Sequence, residues 1–122
     1  MINRRTFLIA TAAASATSAW AQTAPSGKPI RLIVPFPAGG ATDAFARAIS
    51  QKLGERLGSQ VIVDNRPGAG GSIGSDMAAK AAPDGDTLLL ATSSTHSIGP
   101  NFQNTKLPYD AATDFTPIAH LG

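Results

Sequence analysis

Ile30-Arg31-Leu32-Ile33-Val34-Pro35-Phe36-Pro37-Ala38-Gly39-Gly40-Ala41-Thr42-Asp43 carries an apolar, β-branched run into a proline- and glycine-rich turn that opens directly onto helical periodicity. Near-continuous hydrophobicity over residues 30–34 is the pattern of a strand buried on both faces, as in a parallel sheet covered by helices. Pro35 and Pro37 end it, because proline has no N–H to give to a ladder and restricts the residue before it. The first amides of the following helix have no partner inside that helix and lie at the positive end of its dipole. The junction is therefore an anion cradle in outline.

Reading outward, residues 41–57 repeat apolar positions at three- and four-residue spacing, with Phe45, Ala46, Ile49, Leu53 and Leu57 expected to face inward. Thr42 and Asp43 suit its first turn and Gly58 its C-terminal cap. A second unit repeats the plan: a strand at 60–64, the turn Asn65-Arg66-Pro67-Gly68-Ala69-Gly70-Gly71, and a weakly amphipathic helix at 72–82 with Ile73, Met77, Ala78 and Ala81 inward. Pro83-Asp84-Gly85-Asp86 is a turn that leads into a third strand at 87–92, and Ser93-Ser94-Thr95-His96-Ser97 follows as a polar loop or short helical turn. Residues 99–114 read as irregular, anchored by Phe102, Leu107 and Tyr109, and another apolar segment begins at Phe115. The order β-α-β-α-β predicts an α/β fold, a parallel sheet with flanking helices and right-handed crossovers. In such sheets ligands sit beyond the carboxyl ends of the strands, where the loops after residues 34, 64 and 92 gather.

The flanks fix the class. Residues 1–21 combine Arg4 and Arg5, an alanine-rich run from 7 to 19, and Ala19-Trp20-Ala21, a small-residue cleavage site before Gln22. This is a signal peptide, and the run is too short and too interrupted by Thr11, Ser15, Thr17 and Ser18 to span a membrane. Asn3-Arg4-Arg5-Thr6-Phe7-Leu8 also resembles a twin-arginine signal, leaving that route open beside general secretion. Residues 22–29 form a flexible mature N-terminus and 30–122 the folded part. The formal charge of +2 rests on the two signal arginines. The remaining cations are scattered among an equal number of acids, which argues against nucleic acid and against an acidic membrane surface. With no cysteine there is neither a disulfide framework nor a thiolate metal site.

Three features raise the first junction above a simple packing turn: Phe36 on the turn, Thr42-Asp43 at the helix start, and the similar second turn on the same edge. Asp43 is expected to organise the loop, since an acid repels an anion. Gly68-Ala69-Gly70-Gly71-Ser72-Ile73-Gly74 can be written G-x-G-x-x-x-G, as in dinucleotide-binding loops. That reading wants the loop after the first strand and an acid ending the next, and neither loop meets both conditions. Ser93, Ser94 and His96 lack a nucleophile elbow, so hydroxyls receiving a carboxylate are expected rather than catalysis. His96 and His120 are too isolated for a metal claim, and no cofactor is expected.

Residues 28–43 resemble the start of the Bug family of periplasmic solute-binding proteins, the receptors of tripartite tricarboxylate transporters. Val63-Asp64-Asn65-Arg66-Pro67-Gly68-Ala69-Gly70-Gly71-Ser72-Ile73-Gly74, Ala82-Pro83-Asp84-Gly85-Asp86-Thr87-Leu88-Leu89 and Leu107-Pro108-Tyr109-Asp110 with Asp114-Phe115-Thr116-Pro117 are similar to the family's motifs, in order and spacing. Asp86 stands where the family often has Tyr. The resemblance implies a hinged, two-lobed type II periplasmic-binding-protein fold that encloses a small carboxylate and delivers it to membrane permease subunits, without catalysis and without membrane insertion after signal cleavage near Ala21-Gln22. It implies ligand contacts from Phe36, Ala38, Gly39, Gly40, Thr42 and Asp43 and from Thr92, Ser93 and Ser94. At 122 residues the chain corresponds to an incomplete first lobe. The expectation is a truncated product, weakly stable and poor at binding. The alternatives are a small nucleotide-dependent α/β enzyme and a non-functional remnant.

Overall fold

The computed structural model describes residues 27–102 and 106–121; the expected export segment and the start of the leader lie outside the described residues. The chain runs through β1 (Ile30–Val34), α1 (Ala41–Leu57), β2 (Val61–Asn65), a 3₁₀ turn at Ala69–Gly71, α2 (Ser72–Ala79) and β3 (Thr87–Leu89). A π-turn at Ser94–Ile98 and a single helical turn at Gly99–Asn101 follow. The three strands form one parallel sheet in the order β2-β1-β3. The chain thus has the expected α/β architecture, with the most apolar strand in the centre.

The central position of β1 explains its composition. Ile33 and Val34 are fully buried and Ile30 and Leu32 nearly so. Leu32, Val34 and Leu90 pack with Ala46 of α1, and Phe36, Val61, Val63 and Leu88 close around them. The opposite face meets α2, which packs on β1 and β3. Register places Leu32 beside Val63 and Leu88, and Val34 beside Asn65. The N–H of Arg66 donates to Val34 C=O (2.8 Å) and that of Leu90 to Ile33 C=O (2.9 Å), so the ladder carries on just past both outer strands. The loops after residues 34, 65 and 90 accordingly leave from one edge.

The helices bury only part of the stripe that apolar spacing predicts. In α1 the inward residues are Asp43, Ala46 and Ser50, while Phe45 and Leu57 stay 45% and 39% exposed. Short side chains at 46 and 50 let the helix axis approach the sheet, and Ser50 Oγ satisfies itself by donating to Ala46 C=O (2.7 Å). In α2 the buried residues are Gly74 and Ser75, and Ile73 is half-exposed. A Cβ on Gly74 would lie 2.8 Å from Arg66 O and 2.9 Å from Pro35 Cα, so closeness of approach overrides side-chain hydrophobicity there. The helix ends at Ala79 rather than at 82, and β3 is shorter than the expected 87–92 because the chain turns at Thr92. Residues 115–121 form no strand and are mostly exposed.

Candidate functional site

Pro35 is fully buried under the start of the first loop, Phe36 is half-buried, and Pro37, Ala38, Gly39, Gly40 and Ala41 are exposed. Gly39 sits at φ +87°, a left-handed conformation that side chains disfavour, and this lets the chain reverse into α1. Asp43, 4% exposed, reaches back under the turn. Its Oδ2 accepts the Gly39 N–H (2.9 Å) and Arg47 Nε (3.0 Å), and its Oδ1 accepts Asn65 Nδ2 (3.0 Å). The Arg47 hydrogen bond, then the Gly39 N–H and that of Asn65, outweigh burial and lower the Asp43 pKa from 3.8 to about 2. Asp43 is therefore an ionised organiser of the turn. The Gly39 amide is consumed in this, and Gly40 stands at the N-cap of α1, which has no side-chain cap. Among the described residues the exposed Gly40 and Ala41 amides meet no internal acceptor, so the open donors begin at Gly40.

The third loop is built from hydroxyls. Thr92 C=O accepts the N–H groups of Thr95 (3.1 Å) and His96 (3.0 Å), and Thr92 N–H donates to Thr95 Oγ1 (3.1 Å). Thr95 is 1% exposed, whereas Ser93 is exposed and Ser94 half-buried. Thr92 Oγ1 and Ser94 Oγ lie 2.8 Å apart in a hydrogen bond with each other. His96 Nδ1 is 2.9 Å from Thr95 Oγ1, and burial lowers the imidazole pKa, keeping the ring neutral. Ser93 thus presents an exposed neutral hydroxyl on a hydrogen-bonded turn, the Ser94 hydroxyl is engaged with Thr92, and His96 serves that turn.

Gly71 joins the loops. At φ +97° its Cα faces inward, and a Cβ there would lie 2.5 Å from Thr95 Cγ2, 3.4 Å from Pro35 Cβ and 3.5 Å from Phe36 Cζ. The second turn is therefore wedged between the first and third, and Gly74, the last glycine of the G-x-G-x-x-x-G pattern, is occupied with packing. Asp64, the acid at the end of β2, is held by Arg31 and Arg66. Burial pushes its pKa up, but the two guanidiniums outweigh this and hold the carboxyl below its ordinary range.

Sequence reasoning missed Asn65, which ties Phe36 C=O (3.2 Å) to Asp43, and Arg47, which completes the carboxylate's shell. The parallel register, which sets residue 65 beside 34, was the signal for Asn65. Arg47 stands four residues after Asp43, the helical spacing for an ion pair. Among the described residues no cluster of His, Asp or Glu could hold a metal ion, and no helix is long and apolar enough to cross a membrane.

Residues 45–122 match the family described as tripartite tricarboxylate transporter family receptor, TctC. A UPF0065 protein from the tcbD-tcbE intergenic region of Pseudomonas sp. strain P51 is 47% identical over 120 residues, 96% of this chain and 35% of that protein. Among solved structures, the periplasmic binding protein BugD superimposes with a TM-score of 0.70 at 40% identity, over 77% of this chain and 30% of its own. MatC from Rhodopseudomonas palustris, solved with bound malate, gives 0.70 at 38% identity, covering 74% of this chain and 30% of its own. A second R. palustris protein, solved with adipate, gives 0.69 at 36% identity, covering 81% and 31%. The chain spans about a third of the length of the relatives it matches. The matched segment takes in α1 from Phe45 onward and both later loops, and the solved relatives superimpose over about three quarters of the chain, so the chain belongs to the Bug-type, tripartite tricarboxylate transporter receptor family.

Proposed function

We propose that this chain contributes one wall of an extracytoplasmic receptor that captures a small dicarboxylate and hands it, unaltered, to membrane permease subunits. Phe36, Ala38, Gly39, Gly40, Thr42 and Asp43 would form one side of that wall and Thr92, Ser93 and Ser94 the other. Asp43 acts from beneath, by shaping the turn. The carrying observation is the wedging of three carboxyl-end loops around Gly71, which leaves the exposed, uncapped amides at 40–41 and the Ser93 hydroxyl on one sheet edge. Malate and adipate in the two R. palustris structures supply the ligand class. Neutral donors suit it: hydrogen bonds to a charged group contribute about 1.5–3 kcal/mol each, and no fixed acid is aimed at the ligand, since Asp43 is neutralised by Arg47. Residues 1–21 would export the chain to the periplasm, with cleavage near Ala21-Gln22. A nucleotide enzyme is disfavoured because Gly74 of the pattern is packed on Pro35 and the Arg66 carbonyl and the acid it would need, Asp64, is held by two arginines. Titrating the ¹⁵N-labelled chain with malate tests the reading. Amides at 40–43 and 92–94 should shift together and saturate, and malate should be recovered unchanged; shifts confined to other parts of the sheet would overturn it.

A further inference from the structure

We infer that residues 107–115 form a strap that sets the conformation of the hydroxyl-bearing turn, with Tyr109 as its positioning residue. The receptor reading supplies the consequence for binding, while the strap itself stands on its own geometry. Tyr109 is 7% exposed and its O–H donates to the backbone C=O of Thr95 at 2.8 Å, across 14 residues of chain. Thr95 is the buried centre of the turn: its side chain closes the loop onto Thr92, and its methyl lies against Gly71. A π-turn pairs each carbonyl with the N–H five residues on, but five residues after Thr95 stands Pro100, which has no N–H, and the Tyr109 hydroxyl serves this carbonyl from outside.

The strap is itself closed. Asp110 Oδ1 accepts the N–H groups of Ala112 (2.8 Å) and Thr113 (3.3 Å). Asp114 Oδ2 accepts the Asp110 N–H (2.7 Å), and Asp114 N–H returns to Asp110 C=O (3.0 Å). This turn brings Phe115 edge-on to Tyr109 with ring centroids 5.7 Å apart, and both rings onto His96, at 4.7 Å for Phe115 and 6.1 Å for Tyr109. Leu107 lies against Gly99, just past the turn's other end. The motif Leu107-Pro108-Tyr109-Asp110 with Asp114-Phe115 thus has a physical task that ligand contact does not explain. It grips both ends of the segment that follows Ser93 and Ser94.

Tyr109→Phe retains the ring packing and removes the O–H. Amide exchange of residues 94–98 in the ligand-free chain should speed up about fivefold, the worth of one ordinary hydrogen bond, while the β1 amides stay as they are. Malate affinity read from the 92–94 amides should weaken by a similar factor. Asp110→Ala, at an exposed site, should loosen the same turn with Tyr109 intact, and it serves if the Phe variant fails to fold. Wild-type exchange at 94–98 in both variants would overturn the strap. Faster exchange with undiminished malate response would overturn its positioning role. Absence of any malate response in the wild-type chain would reject the receptor reading, and the exchange comparison would still decide on the strap.

Discussion

Asp43 shows how far one residue's role can be read before its partners are known. That it organises the loop follows from its place in the first turn of a helix, just after a proline- and glycine-rich turn whose free amides favour an anion over a second acid. That it is held by Arg47, Gly39 and Asn65 requires the fold, because Asn65 comes from another strand. Its pH behaviour follows from the shift. A carboxyl with a folded pKa of about 2 against an ordinary 3.8 adds stability that is fully present above about pH 4 and is lost as pH falls toward 2. Urea midpoints of the wild type should therefore drop between pH 4 and pH 2 more steeply than those of Asp43→Asn, which lacks the titrating group. At pH 7 the variant should already be the less stable of the two. Asp64 and Asp110 are also held below the ordinary range, but they titrate in both proteins and cancel in the comparison. Parallel profiles would remove Asp43 from the turn's support.

At the scale of elements, the boundaries of β1 and α1 were legible and the inward faces of the helices only in part. β1 and α1 begin and end where the proline pair, the double glycine and Gly58 place them. Apolar spacing nominated Phe45, Ala46, Ile49, Leu53 and Leu57 for the core; Ala46 is buried and Ile49 and Leu53 are half-buried, but Phe45 and Leu57 stay exposed and Ser50 turns inward instead, because distance to the sheet is set by the smallest side chains available. Ala46→Leu should accordingly cost about 1–3 kcal/mol through overpacking, while Phe45→Gln should stay within roughly 0.5–1 kcal/mol. The reverse ranking in urea unfolding would restore the spacing-based face. Gly74 poses the same conflict inside α2. Helix propensity alone favours alanine over glycine by about 1 kcal/mol, but a Cβ there meets Pro35 and the Arg66 carbonyl below 3.0 Å, two pieces of backbone that cannot swing away. Gly74→Ala should therefore destabilise the chain, by about 1–3 kcal/mol. Nothing in the local sequence of α2 announces this, since both neighbours come from other loops.

Across the whole molecule, the edge from which the three loops leave was legible from the alternation of strands and helices alone, because a parallel sheet sends all its outgoing loops to one side. How the loops touch was not, for Gly71, Thr95 and Phe36 meet only once the sheet is assembled. The same limit governs affinity. Two or three charge-assisted hydrogen bonds from one wall give at most about 3–9 kcal/mol before the losses of translational and rotational freedom, so this chain alone should bind malate no tighter than about millimolar, which corresponds to roughly −4 kcal/mol. Grafting residues 27–121 onto the remaining two thirds of the malate-bound relative should tighten binding by at least about tenfold, measured by calorimetry. Within that chimera Gly39→Val isolates the turn. No atom lies within 4 Å of a Cβ at Gly39, so the substitution meets no neighbour and acts through φ alone, which at +87° is strained for valine. Strain of about 1–3 kcal/mol would be relieved by opening the turn and withdrawing the amides at 40–41. Malate affinity should then fall roughly five- to hundredfold while the sheet's far end keeps its amide protection. Unchanged affinity in a folded chimera would take the Gly39-Gly40 turn out of the binding wall and leave the hydroxyls of 92–94 to carry recognition.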